Sequence, residues 1–598
     1  MLSLTKAGVE AKTRFIATLS SVPITISNMF RRYWAEIICC SILLVMGANL
    51  LTIVARKTIT NDEIVHIPSG YYYLTSKNFR LNPEHPSLIK MWASLPLLVV
   101  KPAAPPLKQN PNQDFAQFTM STSLDFWKAN RSRFAAITFW TRFPMVLLTM
   151  ALGALIFIYG RQLFNRQAAL FAVALFSLEP SMIAHGRIVH TDIAAAFAYL
   201  LFFLSLRSYC RNPTSLRALG LGLVMSVALL AKFSLVITIP IFLAGLLYVV
   251  VVARRLHTFH AKILWQFLLA ALGALVLVNA AYFFKHPALA RAEVNWIIGT
   301  TPSTAKDALF AIKQLSKALP TSYLFGLYTV VVHNQVGHSA SLLGDYRSSG
   351  WWYYFPVAFG LKTTVPFLLL SLSAVGWAVF ETVRRRKKML LGLLLPIVIY
   401  LSVSMSSRIN IGIRHLAPVF PFLFLLSGAF LDRLLKSQFR RSSTVLTILL
   451  FSWMVVITFR AYPDYIPYTN CLSLGRPGWQ LLSDSNVEWG DDVGALAEYL
   501  LAHGETKIRG ALSGGATLEN YGVQLVDFPP PEKELSDTRY VAVGAAFLNG
   551  STIPGGLRDQ GGRVVTEEQR HNFLSKYRTD TPEAIFGKSI YLYRAKEQ

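Results

Sequence analysis

Long apolar segments separated by polar connections dominate this 598-residue chain. A helix needs about 17–25 consecutive apolar residues to cross a bilayer, and segments of about that length recur eleven times between residues 34 and 460. The predicted spans are 34–54, 134–159, 168–185, 192–209, 216–232, 235–253, 264–284, 364–381, 389–405, 414–432 and 443–460. The pattern predicts a polytopic α-helical membrane protein with about eleven transmembrane helices.

Basic residues in the connections predict the orientation of these helices. Lys and Arg concentrate in alternate connections, which is typical of the cytoplasmic side of a membrane. The basic connections contain Arg161 and Arg166, Arg207 to Arg217, Arg254 to Lys262, Arg384 to Lys388, and Arg433 to Arg441. The amino terminus is therefore expected in the cytoplasm, and an odd number of spans places the carboxyl terminus outside.

The same pattern divides the chain into three parts. Residues 1–33 are predicted to be a cytoplasmic amino-terminal segment, followed by a first span too long for a cleaved signal peptide. Residues 34–460 form the predicted transmembrane domain, with long outer loops at 56–133 and 285–363. Residues 461–598 are predicted to be an extracytoplasmic α/β domain. Its predicted elements are a helix over Asp491–His503 and strands over Lys507–Leu512, Tyr540–Ala545 and Ser589–Tyr593.

Composition and motif content exclude several other classes of protein. With 53% hydrophobic residues, 15% charged residues and a mean hydropathy of +0.41, the chain is typical of membrane proteins. Its net charge of +26 does not indicate nucleic acid, because the basic clusters lie at the ends of apolar runs. Three of the four cysteines lie in or beside apolar spans, so no disulfide framework is predicted. The absence of a Walker A loop and of a dinucleotide fingerprint disfavours a cytosolic nucleotide-sugar donor.

An acidic pair in the first outer loop is the first candidate for chemistry. Asp62 and Glu63 lie within about ten residues of the membrane exit. A carboxylate beside a low-dielectric wall can have a raised pKa and act as a general base. The ordinary alternative is the N-terminus of a helix over Ile64–Leu74, where acidic residues are common. The two roles are compatible.

Two further groups of ionisable residues occur at predicted outer junctions. Glu84 and His85 precede a predicted short helix and can bind a metal or a phosphate there, although Pro86 is also an ordinary first helical residue. The connection between the third and fourth spans contains His185, Arg187, His190 and Asp192. Ionisable residues at a membrane boundary are candidates for function, and the alternative is a polar interfacial turn.

The remaining candidates lie at later outer junctions. Lys232 ends a span, where it can snorkel or contact a lipid phosphate. An aromatic run, Trp351–Pro356, fits an interfacial belt or a surface that stacks on carbohydrate. Polar residues near these junctions include His333, His338, Asp345 and Arg347, then Arg408, Arg414 and His415. Arginine suits phosphate because its guanidinium group makes bidentate contacts.

In their order, these motifs resemble the GT-C glycosyltransferases of the protein O-mannosyltransferase superfamily, which includes the lipid A aminoarabinose transferases. The matching segments are Asp62-Glu63, Gly70–Tyr72, Asn82–Leu88, Glu179–Ser181, His190–Asp192, Ala231–Ser234, Gly350–Pro356, Leu361–Thr363 and Gly412–Pro418. The similarity covers about residues 34–460, and the tail around 482–492 resembles uncharacterised bacterial members. The resemblance implies a GT-C transmembrane domain.

The resemblance also implies an activity and a set of site residues. Members of this family are inverting transferases that move a sugar from a polyprenyl-monophosphate carrier to an acceptor hydroxyl on the outer face. By position, Asp62 is expected to be the catalytic carboxylate and Glu63 its partner, and Glu84 matches a position that contributes to a metal or substrate site. His85 replaces a phosphate-contacting lysine of the aminoarabinose transferases. The expected donor-phosphate and substrate-binding residues are His85, Arg187, Asp192, Lys232, His338, Arg414 and His415.

Several alternatives stay open at the level of sequence. A GT-C ligase or polymerase would use a diphosphate-linked oligosaccharide instead. A lipid or sugar transporter would favour paired half-repeats and polar residues at mid-membrane, whereas the polar residues here gather at one face. The acceptor is a protein, lipid or glycan, no cofactor is certain, and a divalent metal at Glu84 is one expectation. The expected location is the bacterial inner membrane, with the carboxyl-terminal domain periplasmic or extracellular.

Overall fold

Helices make up most of the fold, which a computed structural model describes for residues 31–108, 115–255, 260–526, 538–552 and 574–595. The predicted amino-terminal segment 1–33 lies outside these residues except for 31–33. The helices of the first half are α1 (Arg31–Arg56), α2 (Asn61–Thr75), α3 (Ser87–Ser94), α4 (Leu97–Val100), α5 (Phe115–Ala129), α6 (Phe134–Leu163), α7 (Arg166–Leu178), α8 (Pro180–His185), α9 (Asp192–Arg211), α10 (Ser215–Ala231), α11 (Thr238–Arg255) and α12 (His260–Ala280).

The second half continues in the same way and ends in a small sheet region. Its helices are α13 (Arg291–Thr300), α14 (Ala305–Leu315), α15 (Thr321–Val336), α16 (Tyr354–Lys362), α17 (Val365–Arg385), α18 (Lys388–Ser406), α19 (Phe420–Leu435), α20 (Arg440–Ala461), α21 (Val493–Ala502), α22 (Ala545–Leu548) and α23 (Lys576–Thr579). Short 3-10 helices include Phe233–Ile237, Ile413–Val419 and Asp484–Asn486.

The predicted fold class is confirmed: the protein is a multi-pass helical membrane protein with a small carboxyl-terminal sheet. Among the described residues, nine helices are long and apolar enough to cross a bilayer. Two further predicted spans form the shorter apolar helices α7 and α10. Helix α7 is short because Glu179 and Pro180 end it before α8 begins. All eleven predicted segments are therefore helical; α7 ends before the predicted residue 185, whereas α10 has the predicted length of 17 residues.

Small residues let the membrane helices approach one another closely. Gly222 of α10 faces the backbone of Ala270 in α12, where an added Cβ would overlap the main chain. Gly428 of α19 meets the backbone of Ala168 in α7 in the same way. Lipid tails are as apolar as side chains, so close van der Waals packing of this kind holds membrane helices together.

The carboxyl-terminal region contains a five-stranded mixed sheet. Its strands are β3 (Lys507–Ala511), β4 (Gln524–Val526), β5 (Tyr540–Gly544), β6 (Ala584–Phe586) and β7 (Ile590–Arg594). Strands β1 (Ala340–Leu342) and β2 (Asp345–Arg347) form a separate hairpin earlier in the chain. The order is β4-β3-β5-β7-β6, with β3 parallel to β4 and β5, and β7 antiparallel to β5 and β6. Helix α21 packs Leu496 and Leu500 in one apolar core with Ile508 and Leu592.

The three predicted strands and the predicted helix of this region are confirmed as β3, β5, β7 and α21. Strands β4 and β6 were missed because each has only three residues, too few to show alternation. Between α20 and this sheet, residues 462–492 do not form a free linker. Lys362, which is buried, donates hydrogen bonds of 2.6 Å to the carbonyls of Ile466 and Asn486. This segment therefore packs against the end of α16, which leads into the membrane helix α17.

The packing of α10 against α12 gives a test of the membrane fold. Replacing Gly222 with Ala forces a methyl group into the α12 backbone, so we expect a destabilisation of about 1–3 kcal/mol. A methyl group added at Gly220 of the same helix would meet no other atom within 4 Å, and Gly220→Ala should be neutral or slightly stabilising. Thermal unfolding in detergent measures both variants, and equal melting temperatures would contradict the close packing.

Candidate active site

A large cavity lies where several membrane helices, at one end of the helical domain, meet the carboxyl-terminal segment. Its volume is ≈ 1140 Å³. The polar residues that line it include Asp62, Glu84, His85, His190, Lys232, His333, His338, Arg414, His415, Asp484, Glu488 and Trp489. Seven of the ten predicted site residues are among them: Asp62, Glu84, His85, Lys232, His338, Arg414 and His415. Folding thus brings together residues that are up to about 350 positions apart in the chain.

Asp62 lies in the first turn of α2, at the wall of the cavity. Its Oδ2 is 3.1 Å from His190 Nε2 and 3.3 Å from Arg414 Nη1, and its side chain is 26% exposed. Burial raises the pKa of Asp62, but the hydrogen bond from His190 and the charge of Arg414 outweigh it and hold the pKa well below its usual range. The sequence suggested a raised pKa for Asp62. This expectation is wrong, because the effects of His190 and Arg414 on the pKa outweigh the effect of burial.

Glu63 is fully buried behind Asp62 and faces away from the cavity. Its Oε1 accepts hydrogen bonds of 2.9 Å from Arg142 Nε and Val189 N, and its Oε2 accepts from Arg142 Nη2 at 2.6 Å and Thr60 N at 2.7 Å. The bond to Thr60 forms part of a capping box at the start of α2. Both carboxylate oxygens are thus occupied by the protein itself.

Arg142 is the partner that sequence reasoning missed. It lies inside α6, one of the membrane helices, and both it and Glu63 are 0% exposed. Its guanidinium also donates to the carbonyls of Lys57 and Thr58 at 2.9 and 2.7 Å. An arginine within an apolar span is itself a signal, since such residues almost always have a buried partner.

A second acidic residue, Asp192, lies behind His190 at the start of α9. Its Oδ1 accepts a 2.6 Å hydrogen bond from Lys232 Nζ, and its Oδ2 is 2.8 Å from His190 Nδ1. Arg414 Nη1 is 3.8 Å from the same Oδ2. Two carboxylates, Asp62 and Asp192, therefore alternate with two cations, Lys232 and Arg414, around one imidazole.

The carboxyl-terminal segment supplies one wall of this cluster. The Arg414 guanidinium lies over the ring of Trp489, with 4.1 Å between its carbon and the ring centroid, and Arg414 Nε donates to Ser485 Oγ at 2.9 Å. Trp489 is 3% exposed and meets the His190 ring edge-on at 5.3 Å between centroids. The orientation of Arg414 thus depends on residues more than 70 positions further along the chain.

Main-chain hydrogen bonds and ion pairs hold the same segment against the first outer loop. Asn61 N donates to Trp489 O at 2.7 Å, and Thr58 N donates to Asp491 O at 3.1 Å. Arg187 pairs with Asp491 at 2.6 Å and is 1% exposed, so it lies behind the cavity wall rather than in the lining. Three of the predicted site residues lie behind the cavity wall and not in its lining: Glu63, Arg187 and Asp192.

The remaining predicted site residues, His338, His415, Glu84 and His85, also line the cavity. His338 Nδ1 is 3.1 Å from His333 Nε2, and its Nε2 is 3.9 Å from Asp484 at the outer side. The buried Nε2 of His415 has no hydrogen-bond partner among the described residues. Glu84 is exposed to the cavity, and His85 is partly exposed.

Two more residues were not predicted from the sequence, His66 and Glu488. His66 Nδ1 is 2.8 Å from Val189 O, and its burial together with the charge of His190 lowers its pKa to about 3. Glu488 accepts hydrogen bonds from Ser513 N and Ala546 N at 2.8 and 2.9 Å. Burial raises the pKa of Glu488 to about 8, so this carboxyl group is mostly protonated at pH 7. The only sequence signal for Glu488 was its position in the tail segment around 482–492.

Comparison with known proteins gives a family match over less than half of the chain. Residues 39–295 match the model of the family described as dolichyl-phosphate-mannose-protein mannosyltransferase. The motif-based resemblance to the GT-C glycosyltransferases of this superfamily is therefore confirmed, and the match covers the first outer loop, Asp192 and Lys232. The matched family is one of glycosyltransferases, and the match ends before Arg414 and the carboxyl-terminal sheet.

Several solved structures match this chain at low similarity, and two of them are as follows. ArnT from Cupriavidus metallidurans, bound to undecaprenyl phosphate, is 14% identical, with a TM-score of 0.44 over 82% of this chain and 75% of its own. The archaeal oligosaccharyltransferase AglB from Archaeoglobus fulgidus, in complex with an inhibitory peptide and a dolichol-phosphate, is 11% identical, with a TM-score of 0.41 over 86% and 70% of the two chains. No curated protein matches this chain significantly in sequence.

The buried ion pair behind Asp62 gives a stability prediction. Arg142→Leu leaves the Glu63 carboxylate buried without its cation, so we expect a loss of about 3–5 kcal/mol. Arg161 of the same helix pairs with Glu36 at the surface, where its side chain is 44% exposed. Arg161→Leu should change stability by no more than about 1 kcal/mol. Unfolding of both variants in detergent measures the difference, and similar losses would refute a special role for the buried pair.

Proposed function

We propose that this protein is an inverting glycosyltransferase that moves a sugar from a polyprenyl-monophosphate carrier to an acceptor hydroxyl on the outer face of the membrane. The observation that carries the proposal is the Asp62 carboxylate at the cavity wall, in contact with His190 and Arg414 and near Lys232. A carboxylate can accept the acceptor's proton, and the cations beside it suit a phosphate.

In this reaction Asp62 acts as the general base. The acceptor oxygen attacks C1 of the sugar as its proton passes to Asp62, and the bond from C1 to the phosphate oxygen breaks on the opposite side. The configuration at C1 inverts because a single displacement takes place. A low pKa keeps Asp62 ionised at neutral pH, so it is ready to accept the proton at the start of each cycle.

Arg414 and Lys232 bind the phosphate of the donor in this proposal. The carrier phosphate gains a negative charge as it leaves, so cations placed beside it stabilise the transition state more than the bound donor. Trp489 and Ser485 hold the Arg414 guanidinium in place. When Arg414 turns to the phosphate, Asp62 loses part of its contact with that cation and becomes a stronger base.

The other predicted site residues act around this pair. Glu63 positions the first turn of α2, and Asp192 positions His190 and Lys232, since both carboxylates are buried and occupied by protein donors. Arg187 anchors the carboxyl-terminal segment through Asp491. His85, His338 and His415 line the space into which the sugar and acceptor fit.

An apolar side of the cavity supports a lipid-borne donor. Val331 of α15 and Val403 of α18 line the cavity, and these apolar residues are 46% and 42% exposed. A polyprenyl chain can cover such side chains while its phosphate reaches Lys232 and Arg414. This arrangement separates an apolar entry from the polar reaction centre, as a lipid carrier requires.

The distribution of charge supports an outward-facing site. Helix α9 begins at the site with Asp192 and ends at Arg211 in one of the basic connections. The other basic connections, near 161–166, 384–388 and 433–441, follow the distal ends of α6, α17 and α19. By the positive-inside rule those ends are cytoplasmic, so the cavity faces the periplasm or cell exterior of a bacterial inner membrane. The acceptor is a protein, lipid or glycan.

The proposal predicts the effect of neutralising Asp62. Asp62→Asn removes the base while keeping the size of the side chain, so transfer from defined polyprenyl-phosphate sugars into membrane extract should fall about 10²–10⁴-fold. Binding of the polyprenyl-phosphate donor should remain. Asp345→Asn, which changes an exposed acid of the outer hairpin β1–β2, is the matched control and should retain transfer. Full activity of Asp62→Asn would remove Asp62 from the mechanism.

The contact between Asp62 and Arg414 predicts a shift in pH dependence. The cation lowers the pKa of Asp62, so the active, ionised base persists to low pH in the native protein. Arg414→Gln removes the charge, the pKa of Asp62 rises, and the acid limb of kcat/KM should move to higher pH. Arg414→Lys keeps the charge and should shift that limb less. Coincident acid limbs in all three proteins would contradict this coupling.

A further inference from the structure

Three histidine rings meet at the wall of the cavity, which His85 and His190 line and behind which His66 is buried. His66 comes from α2, His85 from the turn before α3, and His190 from the connection before α9. Their ring centroids form a triangle with sides of 5.1 Å each. One ring nitrogen from each histidine lies within 4.8 Å of the others. Three imidazoles with converging nitrogens are the donor set of many zinc sites.

Hydrogen bonds already orient two of the three rings for metal binding. His66 Nδ1 donates to Val189 O at 2.8 Å, and His190 Nδ1 faces Asp192 Oδ2 at 2.8 Å. Each of these bonds uses Nδ1, so Nε2 would be the ligand atom; in His190 this nitrogen also contacts Asp62 Oδ2 and Arg414 Nη1. Metal-binding histidines characteristically give their other N–H to a carbonyl or a carboxylate in this way. For His85 no hydrogen-bond partner occurs among the described residues, so this ring is free to turn toward an ion.

We propose that His66, His85 and His190 form a binding site for a divalent transition-metal ion of the zinc type. The nitrogens lie within 4.8 Å of one another. They would have to move closer together, since a tetrahedral site separates its nitrogen ligands by about 3.3 Å. Imidazole ligands favour Zn²⁺, Ni²⁺ or Cu²⁺ over Mg²⁺, which prefers oxygen. Glu84, the metal ligand suggested by the sequence, is not part of this group.

The surroundings of the three rings leave room for a fourth ligand. Asp62 Oδ2 is 3.1 Å from His190 Nε2, so a carboxylate or a phosphate oxygen can reach an ion held there. Three protein ligands and one open position are typical of catalytic rather than structural zinc sites. A bound ion would add positive charge beside Lys232 and Arg414, on the side where the donor phosphate is expected; this consequence rests on the proposed function.

Arg414 competes with the ion for one ligand atom. Its Nη1 lies 2.9 Å from His190 Nε2, the nitrogen that the ion needs. Metal binding therefore requires the guanidinium to turn away from His190 while it remains stacked on Trp489. The site has two exclusive states, one with Arg414 on His190 and one with a metal ion.

A titration with Co²⁺ or Zn²⁺ tests the proposal. The full chain, purified in detergent without a histidine tag and treated with a chelator, should bind one equivalent, seen by calorimetry and by the visible absorption of Co²⁺. His85→Gln should weaken binding at least about 10-fold without lowering the melting temperature, because His85 is partly exposed and makes no hydrogen bond with the described residues. Arg414→Gln should bind the ion more tightly.

The matched control is the other histidine pair of the same cavity. His333 and His338 lie 3.1 Å apart through their ring nitrogens, toward its outer side. The double variant His333→Gln, His338→Gln should bind the ion as the native chain does. Absence of a stoichiometric site, or its loss in the control rather than in His85→Gln, would overturn the proposal. Since no donor is present, the result does not depend on the transfer reaction.

Discussion

The buried ion pair between Glu63 and Arg142 is the constraint on which the site depends. Glu63 joins three separate segments, because its oxygens bind the start of α2, the middle of α6 and the main chain just before His190. Each of these contacts lies in a buried region, where an unpaired charge would be costly. The pair thus holds Asp62 and His190 at a fixed separation. The Asp62 carboxylate at the cavity is positioned by the Glu63 carboxylate, which does not line the cavity.

The second feature of the site is that it is built from both ends of the chain. The membrane helices and the connections at their outer ends provide Asp62, His190, Lys232 and Arg414, and the segment after α20 provides the aromatic face under Arg414. An arginine that is stacked on one face and hydrogen-bonded at Nε loses little freedom when it binds an anion. The carboxyl-terminal sheet is therefore connected to the residues around Asp62 through Trp489 and Asp491.

Electrostatic balance explains how so many ionisable groups coexist beside a membrane. Asp62 and Asp192 face Lys232 and Arg414, so two acidic side chains pair with two basic ones before a donor enters. An added phosphate disturbs this balance, and the groups that compensate are the same ones that set the basicity of Asp62. In the proposed reaction, phosphate binding and proton transfer are thus linked through Arg414. An ion on the three histidines would act on the same balance.

Local sequence determined the membrane helices, because a run of apolar residues is driven into a bilayer wherever it occurs in a chain. It also determined most of the residues of the cavity, since the short motifs around Asp62, Lys232 and Arg414 are typical of one family. Tertiary structure alone decided their relations. Only packing could bury Glu63 against Arg142, place Trp489 under Arg414, or bring His66, His85 and His190 together. Those contacts join segments far apart in the chain, and no local pattern encodes which distant side chain will meet a given charge.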